Sequence, residues 1–372
     1  MLRAFILTTL ISAVFVFPAA AHPAWGIVVD KQGAVYFSDL EAVWKIAPDG
    51  KTSVLKTGVS GRHTHVLSID EIGNIYGDEL NYDPATAKYT SGIWKITPTG
   101  GFSYVLAPTD KPPKGTSIFK DSNGNAYSVV WNNKTDRRTQ IIKRTPNGTV
   151  TILGADKNPI ENQIVLYSVG GITFDRDSAL YFADGSTIKK AAQNGAITVL
   201  ADKIQIENQP DAANQNAPTL LLGIAFDTTT NSLFVADHGN RRVLKISADG
   251  KTSTVIRADA PWSPTGVAVR NGELYILEFG FTLPRTSNGI RVRKLAADGK
   301  ITTLATVSEN NRSSTETSTD NAPQPIKIST AAQPETKTAS PATVFYLTLG
   351  AGIGILALTV AVWYVRGKTP NH

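Results

Sequence analysis

The chain of 372 residues contains no cysteine. Disulfide bonds, cysteine nucleophiles and cysteine-ligated metal centres are therefore excluded, and a stable domain must depend on its hydrophobic core. Several enzyme signatures are also missing, since there is no Gly-x-Ser-x-Gly segment, no P-loop and no paired metal-ligand motif. What remains is a chain whose organisation must be inferred from its two ends and from an internal repeat.

The first residues have the layout of a secretory signal peptide. The positively charged Arg3 precedes an apolar run from Ala4 to Phe17, and Pro18 to Ala21 supply the small residues of a cleavage site. We therefore assign residues 1–21 to a signal peptide and predict that the mature chain begins at His22.

A second apolar segment, near the other end, predicts a transmembrane helix. Residues 343–365 carry no charge and, at about 1.5 Å per residue, can cross a ~30 Å hydrocarbon core. Arg366 and Lys368 follow directly, so the tail at 366–372 should be cytoplasmic and the rest of the chain periplasmic or extracellular. Residues 308–342 are rich in Ser, Thr and Pro, which predicts a disordered stalk. The sequence thus predicts a single-pass protein of the cell membrane, anchored by its C-terminal helix.

Six related units fill the region between these segments. Each contains a short turn that ends in glycine, namely Asp49-Gly50, Thr99-Gly100, Asn147-Gly148, Asn194-Gly195, Asp249-Gly250 and Asp298-Gly299. An aromatic residue recurs in the second strand-sized run of each unit, at Tyr36, Tyr76, Tyr127, Tyr181, Phe234 and Tyr275. One unit has four such runs, here called a to d, and cannot bury its own faces, so the copies must stack. We therefore predict an all-β fold at 22–307, a six-bladed β-propeller with four-stranded antiparallel blades and no extra strand to latch the ring.

The formal net charge of +6 is spread around the repeats. A lysine occupies one position of run c in every unit, at Lys45, Lys95, Lys143, Lys190, Lys245 and Lys294. This spacing places the charges around a rim and does not collect them in a groove, so we predict no nucleic-acid partner.

The fifth unit resembles the NHL repeat. The residues that carry the resemblance are Gly223-Ile224-Ala225-Phe226-Asp227 and the run from Leu233 to Val243, and Pro264 to Val269 is similar to the opening of another copy. This resemblance implies a six-bladed propeller and an acidic residue at the end of run b.

The chain is also distantly similar to the gluconolactonase and paraoxonase propellers. Those enzymes hold a divalent metal with Glu, Asn and Asp placed just before run a. The corresponding residues here are Trp25, His65, Thr116, Gly170, Leu222 and Thr265. None of these is an oxygen ligand of the kind that calcium requires, and only one could bind a metal. The resemblance therefore argues against lactonase activity, and we expect no cofactor.

One face of the predicted disc carries all the long connections. The connections from b to c, and from d to the next a, lie on this face, which we call the b–c face; the opposite face carries the short a–b and c–d turns. The long connections are 80–91, 131–140, 279–289, 154–169 and 202–219. Because elaborated loops carry function more often than plain turns, we predict a binding surface on the b–c face.

Ionisable residues at this face are the candidate ligand-binding residues. Arg62, His63 and His65 precede run a of the second unit, and Trp131 opens a long connection. The ends of run b carry Asp39, Glu79, Val130, Asp184, Asp237 and Glu278. Such acids could bind a cation or share a proton, but each could equally accept backbone N–H bonds at the b–c turn. His63 and His65 lie two apart, so their side chains point the same way on an extended chain, which makes them weak metal candidates.

The sequence leaves three functions open. The first is a membrane-anchored extracytoplasmic propeller that binds a small molecule, a glycan or a protein on the b–c face. The second is a lactonase-like hydrolase or lyase that acts at the mouth of the central channel. The third is a structural interaction module of the cell envelope. The absence of lactonase-type ligands favours the first, a binding protein without catalytic activity.

Overall fold

The computed structural model describes residues 23–83, 85–132, 138–153, 166, 169–202, 204, 220–282 and 286–307. The predicted signal peptide, stalk, transmembrane segment and tail lie outside these residues. Within the described part of the chain, no helix is long and apolar enough to cross a membrane.

The described residues form six antiparallel sheets, each built from strands consecutive in the chain. Blade one comprises β1 (Ile27–Val29), β2 (Val35–Ser38), β3 (Val43–Ile46) and β4 (Thr52–Lys56). Blade two comprises β5 (Arg62–His63), β6 (Leu67–Ile69), β7 (Ile75–Asp83), β8 (Lys88–Ile96) and β9 (Phe102–Thr109). Blade three comprises β10 (Ala126–Asn132), β11 (Arg138–Arg144) and β12 (Val150–Leu153).

The second half of the ring is more regular. Blade four comprises β13 (Val169–Phe174), β14 (Leu180–Asp184), β15 (Thr187–Ala191) and β16 (Ile197–Ala201). Blade five comprises β17 (Leu221–Asp227), β18 (Ser232–Asp237), the short 3-10 helix η1 (His238–Asn240), β19 (Arg242–Ile246) and β20 (Thr252–Arg257). Blade six comprises β21 (Trp262–Arg270), β22 (Glu273–Thr282), β23 (Thr286–Leu295) and β24 (Ile301–Val307). The predicted six-bladed propeller is therefore confirmed.

Two blades depart from the predicted four strands. In blade two, β5 and β6 both pair with β7, so the inner strand is broken between His63 and Leu67. In blade three, the inner strand is reduced to an isolated bridge between Lys120 and Ala126. Pro112 and Pro113 precede that bridge, and because proline lacks an N–H it shortens a strand.

A repeated side-chain motif fixes the turns between the first and second strands. Asp121 Oδ1 accepts backbone N–H bonds from Asn123 and Asn125, both at 2.9 Å, and its Oδ2 accepts the Tyr127 hydroxyl at 3.0 Å. The same aspartate–tyrosine pair recurs as Asp30–Tyr36, Asp70–Tyr76 and Asp175–Tyr181. The segment at Asp121 is thus a hairpin turn. This motif explains the recurrent tyrosine in these four blades, because its hydroxyl holds the turn.

The lysines of the third strands lie over these rings. The amino groups of Lys45, Lys143 and Lys190 stand 5.5, 5.8 and 4.9 Å from the centroids of Tyr36, Tyr127 and Tyr181. Each of these lysines therefore makes a cation–π contact with the tyrosine of its own blade.

The ring closes through side-chain packing. One buried cluster joins Phe37 and Trp44 of blade one to Leu277, Ile290 and Val292 of blade six. Because each sheet consists of consecutive strands, no latching strand links the first and last blades among the described residues, which agrees with the prediction.

The inner strands meet through glycines. A Cβ placed on Gly26 would lie 2.9 Å from the backbone nitrogen of Leu67, and one on Gly223 would lie 2.7 Å from Gly266 Cα. Real Cβ atoms do not approach backbone so closely, so only glycine permits neighbouring blades to touch at the axis.

The long connections of the b–c face are partly extended strands. Residues 80–91 and 279–289 were predicted as loops, but β7 pairs with β8 from Ile75 to Asp83, and β22 pairs with β23 as far as Thr282. In blade three, β10 and β11 likewise pair as far as Asn132 and Arg138. These connections are therefore β-hairpins that project from the disc. Most of 154–169 and 202–219 lies outside the described residues.

Candidate functional site

The five carboxylates that the sequence analysis placed at the ends of run b are enclosed within the blades; Glu79 and Glu278 lie midway along β7 and β22. Asp39, Asp237 and Glu278 are 1%, 0% and 0% exposed, and Glu79 and Asp184 are also buried. The sequence placed them at the channel mouth, open to a ligand. A buried carboxylate must be hydrogen-bonded or paired, which is why they turn toward partners of their own or the neighbouring blade.

Residues of the third strand supply most of these partners. Asp39 accepts the Ala42 N–H at 2.7 Å and the Trp44 indole N–H at 2.8 Å. Lys189 Nζ lies 2.5 Å from Asp184, and Arg242 Nε lies 2.8 Å from Asp237. These contacts fit the second possibility that the sequence left open, in which the acids stabilise the b–c turns. A ligand role for these five acids stays a prediction.

The remaining candidates differ in their surroundings. Val130 is 39% exposed at the end of β10, and the side chain of the neighbouring Trp131 lies outside the described part of the structure. Arg62, His63 and His65 lie at the broken inner strand of blade two.

Asp78 organises this break in blade two. Its Oδ1 accepts backbone N–H bonds from His65 at 2.7 Å and from Val66 at 2.9 Å. Since residues 64–66 leave the regular pairing between β5 and β6, the Asp78 carboxylate takes the place of a neighbouring strand for their N–H groups. Asp78 was missed by the sequence analysis, which assigned the acid of this blade to Glu79.

Two aromatic rings adjoin His65, which contacts Asp78. His65 Nδ1 lies 3.1 Å from Asp78 Oδ2, and the ring centroids of His63 and Trp25 lie 5.9 and 6.0 Å from that of His65. The rings of the two histidines thus lie near each other, and their role as metal ligands stays a prediction. We call Trp25, Arg62, His63, His65 and Asp78 the blade-two cluster.

The electrostatics of this cluster favour a neutral histidine. Burial, and then the neighbouring His65, hold the pKa of His63 below its ordinary value. Arg62, whose side chain is 43% exposed, lies 3.5 Å from Glu79, which also contacts Lys56 at 3.5 Å. Burial lowers the pKa of Lys56, although Glu79 opposes this shift. The cluster therefore offers the neutral imidazole of His63 near one half-buried carboxylate, Asp78.

The described residues include no group of three or more His, Cys, Asp or Glu side chains that could hold a metal ion. His63 and His65 form only a pair, and Asp78 is engaged by two backbone N–H groups and His65. At another lactonase-type position, Thr265 is fully buried and its hydroxyl donates to the Leu277 carbonyl at 3.4 Å. The geometry here does not resemble a metal centre.

A further histidine of the b–c face, His238, lies outside the blade-two cluster. His238 lies in η1, and its Nδ1 is 3.2 Å from the Pro264 carbonyl oxygen. The backbone carbonyl of His238 accepts a hydrogen bond from Ser263 Oγ at 2.5 Å. Burial lowers the pKa of His238 to about 4. This side chain therefore helps to join blades five and six in its neutral form.

The buried His238 predicts a loss of stability in mild acid. In the unfolded chain the His238 imidazole binds a proton below about pH 6.5, whereas in the folded chain it does so only below about pH 4. Stability should therefore fall by about 2 kcal/mol between pH 7 and pH 5, as measured by urea unfolding. The same measurement on His238→Asn should show a shallower dependence, whereas an equally steep one would assign the effect to other groups.

A shallow cavity of ≈ 260 Å³ lies on the opposite, a–b face. Turns of blades one and two line it, including Asp30, Gln32, Asp70 and Ile72, together with Arg270 of blade six. Asp30 and Asp70 already bond their own turns and tyrosines, so their carboxylates serve the turns there.

Comparison with known proteins shows likeness of fold only. No family model and no curated protein matches the chain. Virginiamycin B lyase from Staphylococcus aureus is 17% identical, with 76% of this chain and 83% of that chain covered and a TM-score of 0.42. A putative gluconolactonase is 13% identical, with 78% and 95% covered and a TM-score of 0.47. A chain of a nidogen/laminin complex is 14% identical, with 75% and 94% covered and a TM-score of 0.46. These likenesses assign no activity, and the NHL-repeat assignment stays a prediction.

Proposed function

We propose that this chain is a membrane-tethered extracytoplasmic propeller that binds a small polar molecule or a glycan at the blade-two cluster. The observation that carries the proposal is the broken inner strand, where the rings of Trp25 and His63 adjoin the ring of His65 and His65 contacts the Asp78 carboxylate. Specific small-molecule sites combine apolar ring surface with a few fixed polar groups in this way.

The chemistry of the cluster suits an uncharged hydroxylated ligand. An indole and two imidazoles offer flat surfaces, and Asp78, whose side chain is 30% exposed, offers an acceptor. Because the pKa of His63 is lowered, its imidazole presents one donor and one acceptor near neutral pH. Sugars and similar polar molecules bind to such combinations of ring faces and hydrogen-bonding groups.

Substitution at His65 should separate this proposal from a purely structural role. A panel of saccharides and small hydroxylated compounds would be screened by thermal shift against the full chain in detergent. We expect at least one compound to raise the unfolding temperature of the wild type, and His65→Gln to weaken its binding about tenfold, the effect of losing one good hydrogen bond.

His238→Asn is the matched control, because His238 is a histidine of the same face outside the cluster. It should leave binding unchanged. Compounds that bind wild type, His65→Gln and His238→Asn equally would place the site elsewhere and overturn the proposal.

A hydrolase or lyase is the second candidate function. The 3.1 Å separation between His65 Nδ1 and Asp78 Oδ2 is the arrangement in which a carboxylate orients a histidine for general acid–base work. In that case a bound compound would be turned over by the wild type, and His65→Gln would lower the rate by about 10²-fold or more while binding changed far less. Binding without any turnover would leave the first function.

The membrane tether is supported by the sequence at 1–21, 308–342 and 343–365. Protease added to intact cells should then degrade the propeller and spare an epitope placed after His372. Protection of the propeller together with degradation of the epitope would reverse the proposed orientation.

A further inference from the structure

Blade six contains more buried positive charge than its single buried carboxylate can balance. Glu278 accepts hydrogen bonds from Arg291 Nε at 2.6 Å and from Arg293 Nε at 2.9 Å, and Arg293 Nη2 also bonds to it. The side chains of Arg291 and Arg293 are only 16% and 9% exposed. Charges removed from water in this way are costly unless they are paired.

The two arginines are not equally satisfied. Arg293 forms a two-pronged bond to Glu278, and its Nη2 also lies 3.3 Å from the Arg257 carbonyl oxygen. Arg291 uses Nε alone for Glu278, and its buried Nη2 has no hydrogen-bond partner among the described residues. An unused donor of this kind needs a reason in a folded protein.

The guanidinium of Arg291 is nevertheless held in place. Its central carbon lies 4.7 Å from the ring centroid of Trp262, and Trp262 pairs in register with Gly280, which has no side chain. The stacked ring and the Glu278 bond together fix the orientation of the guanidinium plane. Arg291 lies midway along the third strand, β23, opposite Glu278 and on the side of the blade that leads to the b–c hairpin.

Blade two offers an instructive contrast. Its buried Glu79 also faces two cations, Lys56 and Arg62, but Arg62 is largely solvated. The pKa of Lys56 is lowered by burial, so that side chain releases its proton more readily than usual. Arginine does not deprotonate in proteins, so the buried positive charges of blade six cannot be removed by loss of a proton.

We propose that Arg291, stacked on Trp262, is the anchor of an oxyanion subsite on the b–c face that takes a carboxylate or a phosphate group. The planar fork of an arginine binds such groups, and an incoming anion would balance the excess charge beside Glu278. This subsite stands independently of the blade-two cluster, since it lies on another blade and needs no residue of that cluster.

Inorganic phosphate and acetate test the subsite directly. Unfolding temperatures of the full chain in detergent would be measured with each anion against chloride at equal ionic strength. We expect one or both anions to raise the unfolding temperature of the wild type in a saturable way. Arg291→Gln should weaken that apparent affinity about tenfold or more, as expected for a lost charge-assisted hydrogen bond.

Two further variants separate the guanidinium fork from net charge. Arg270→Gln removes one positive charge from the opposite face, where Arg270 bonds the Lys31 carbonyl, and should keep the response. Arg291→Lys retains the charge without the fork and should respond less than wild type. It also provides a folded comparison should Arg291→Gln fail to fold. The proposal is overturned if neither anion stabilises the wild type beyond chloride, or if Arg291→Lys responds as strongly as wild type.

Discussion

Replacing Gly266 by alanine should lower the unfolding free energy by about 3 kcal/mol, near the upper end of the usual cost of overpacking a core. An added Cβ would lie 3.0 Å from the carbonyl carbon of Trp25, nearer still to its oxygen, and 3.1 Å from Ile27 Cγ2. Both backbones belong to inner strands, so neither can retreat without moving a blade. Urea unfolding monitored by circular dichroism would measure the loss.

Gly101→Ala is the matched control for this prediction. Gly101 lies in an exposed c–d turn, and an added Cβ would meet only the Thr97 side chain, with its hydroxyl at 3.1 Å. Since a hydroxyl can rotate away, we expect a change of about 0.5 kcal/mol. Equal losses for the two variants would show that the contact between blades six and one does not require a glycine.

Glu278→Gln should be at least as damaging, with an expected loss of about 3–5 kcal/mol. The substitution keeps the shape of the side chain but leaves the guanidinium groups of Arg291 and Arg293 buried without a counter-charge. Removal of one partner from a buried ion pair costs more than the pair contributes, because the desolvated charge remains. Thermal and urea unfolding at pH 7 would both report it.

Glu273→Gln, in the same blade, separates burial from charge. Glu273 pairs with Lys294 at 2.9 Å, but the two side chains are 32% and 28% exposed. Solvent screens this pair, so the expected loss is about 0.5 kcal/mol. If the two glutamates proved equally sensitive, the buried cluster of blade six would contribute nothing special, and the reasoning for the oxyanion subsite would weaken with it.

The repeat made most of the fold predictable. The aromatic residues assigned to the second run of each unit, such as Tyr36, Tyr76 and Tyr127, lie in the second strands β2, β7 and β10. The local signals suffice because each blade is a meander of neighbouring strands, with turns held by residues only a few positions apart. The turn at Asp121 is such a case, since all of its partners lie within six residues.

The candidate site was less predictable because its contacts join distant parts of the chain. Asp78 serves the backbone of His65 and Val66 across a break that no local pattern signals. The hairpin at 80–91 was also misjudged, since Asn81, Asp83 and Pro84 read as a loop. In the structure the Tyr82 and Tyr89 rings meet at 4.7 Å across the two strands and extend the pairing.

Trp25 gives the unlatched ring a functional consequence. Its backbone N–H donates to the His65 carbonyl of blade two at 3.0 Å, and its backbone carbonyl lies against Gly266 of blade six. Trp25 thus contacts both neighbours of blade one, blades two and six, at the place where packing closes the ring. Loosening that junction would disrupt the blade-two cluster before the other blades separated, so loss of the proposed ligand binding should be an early sign of an opening ring.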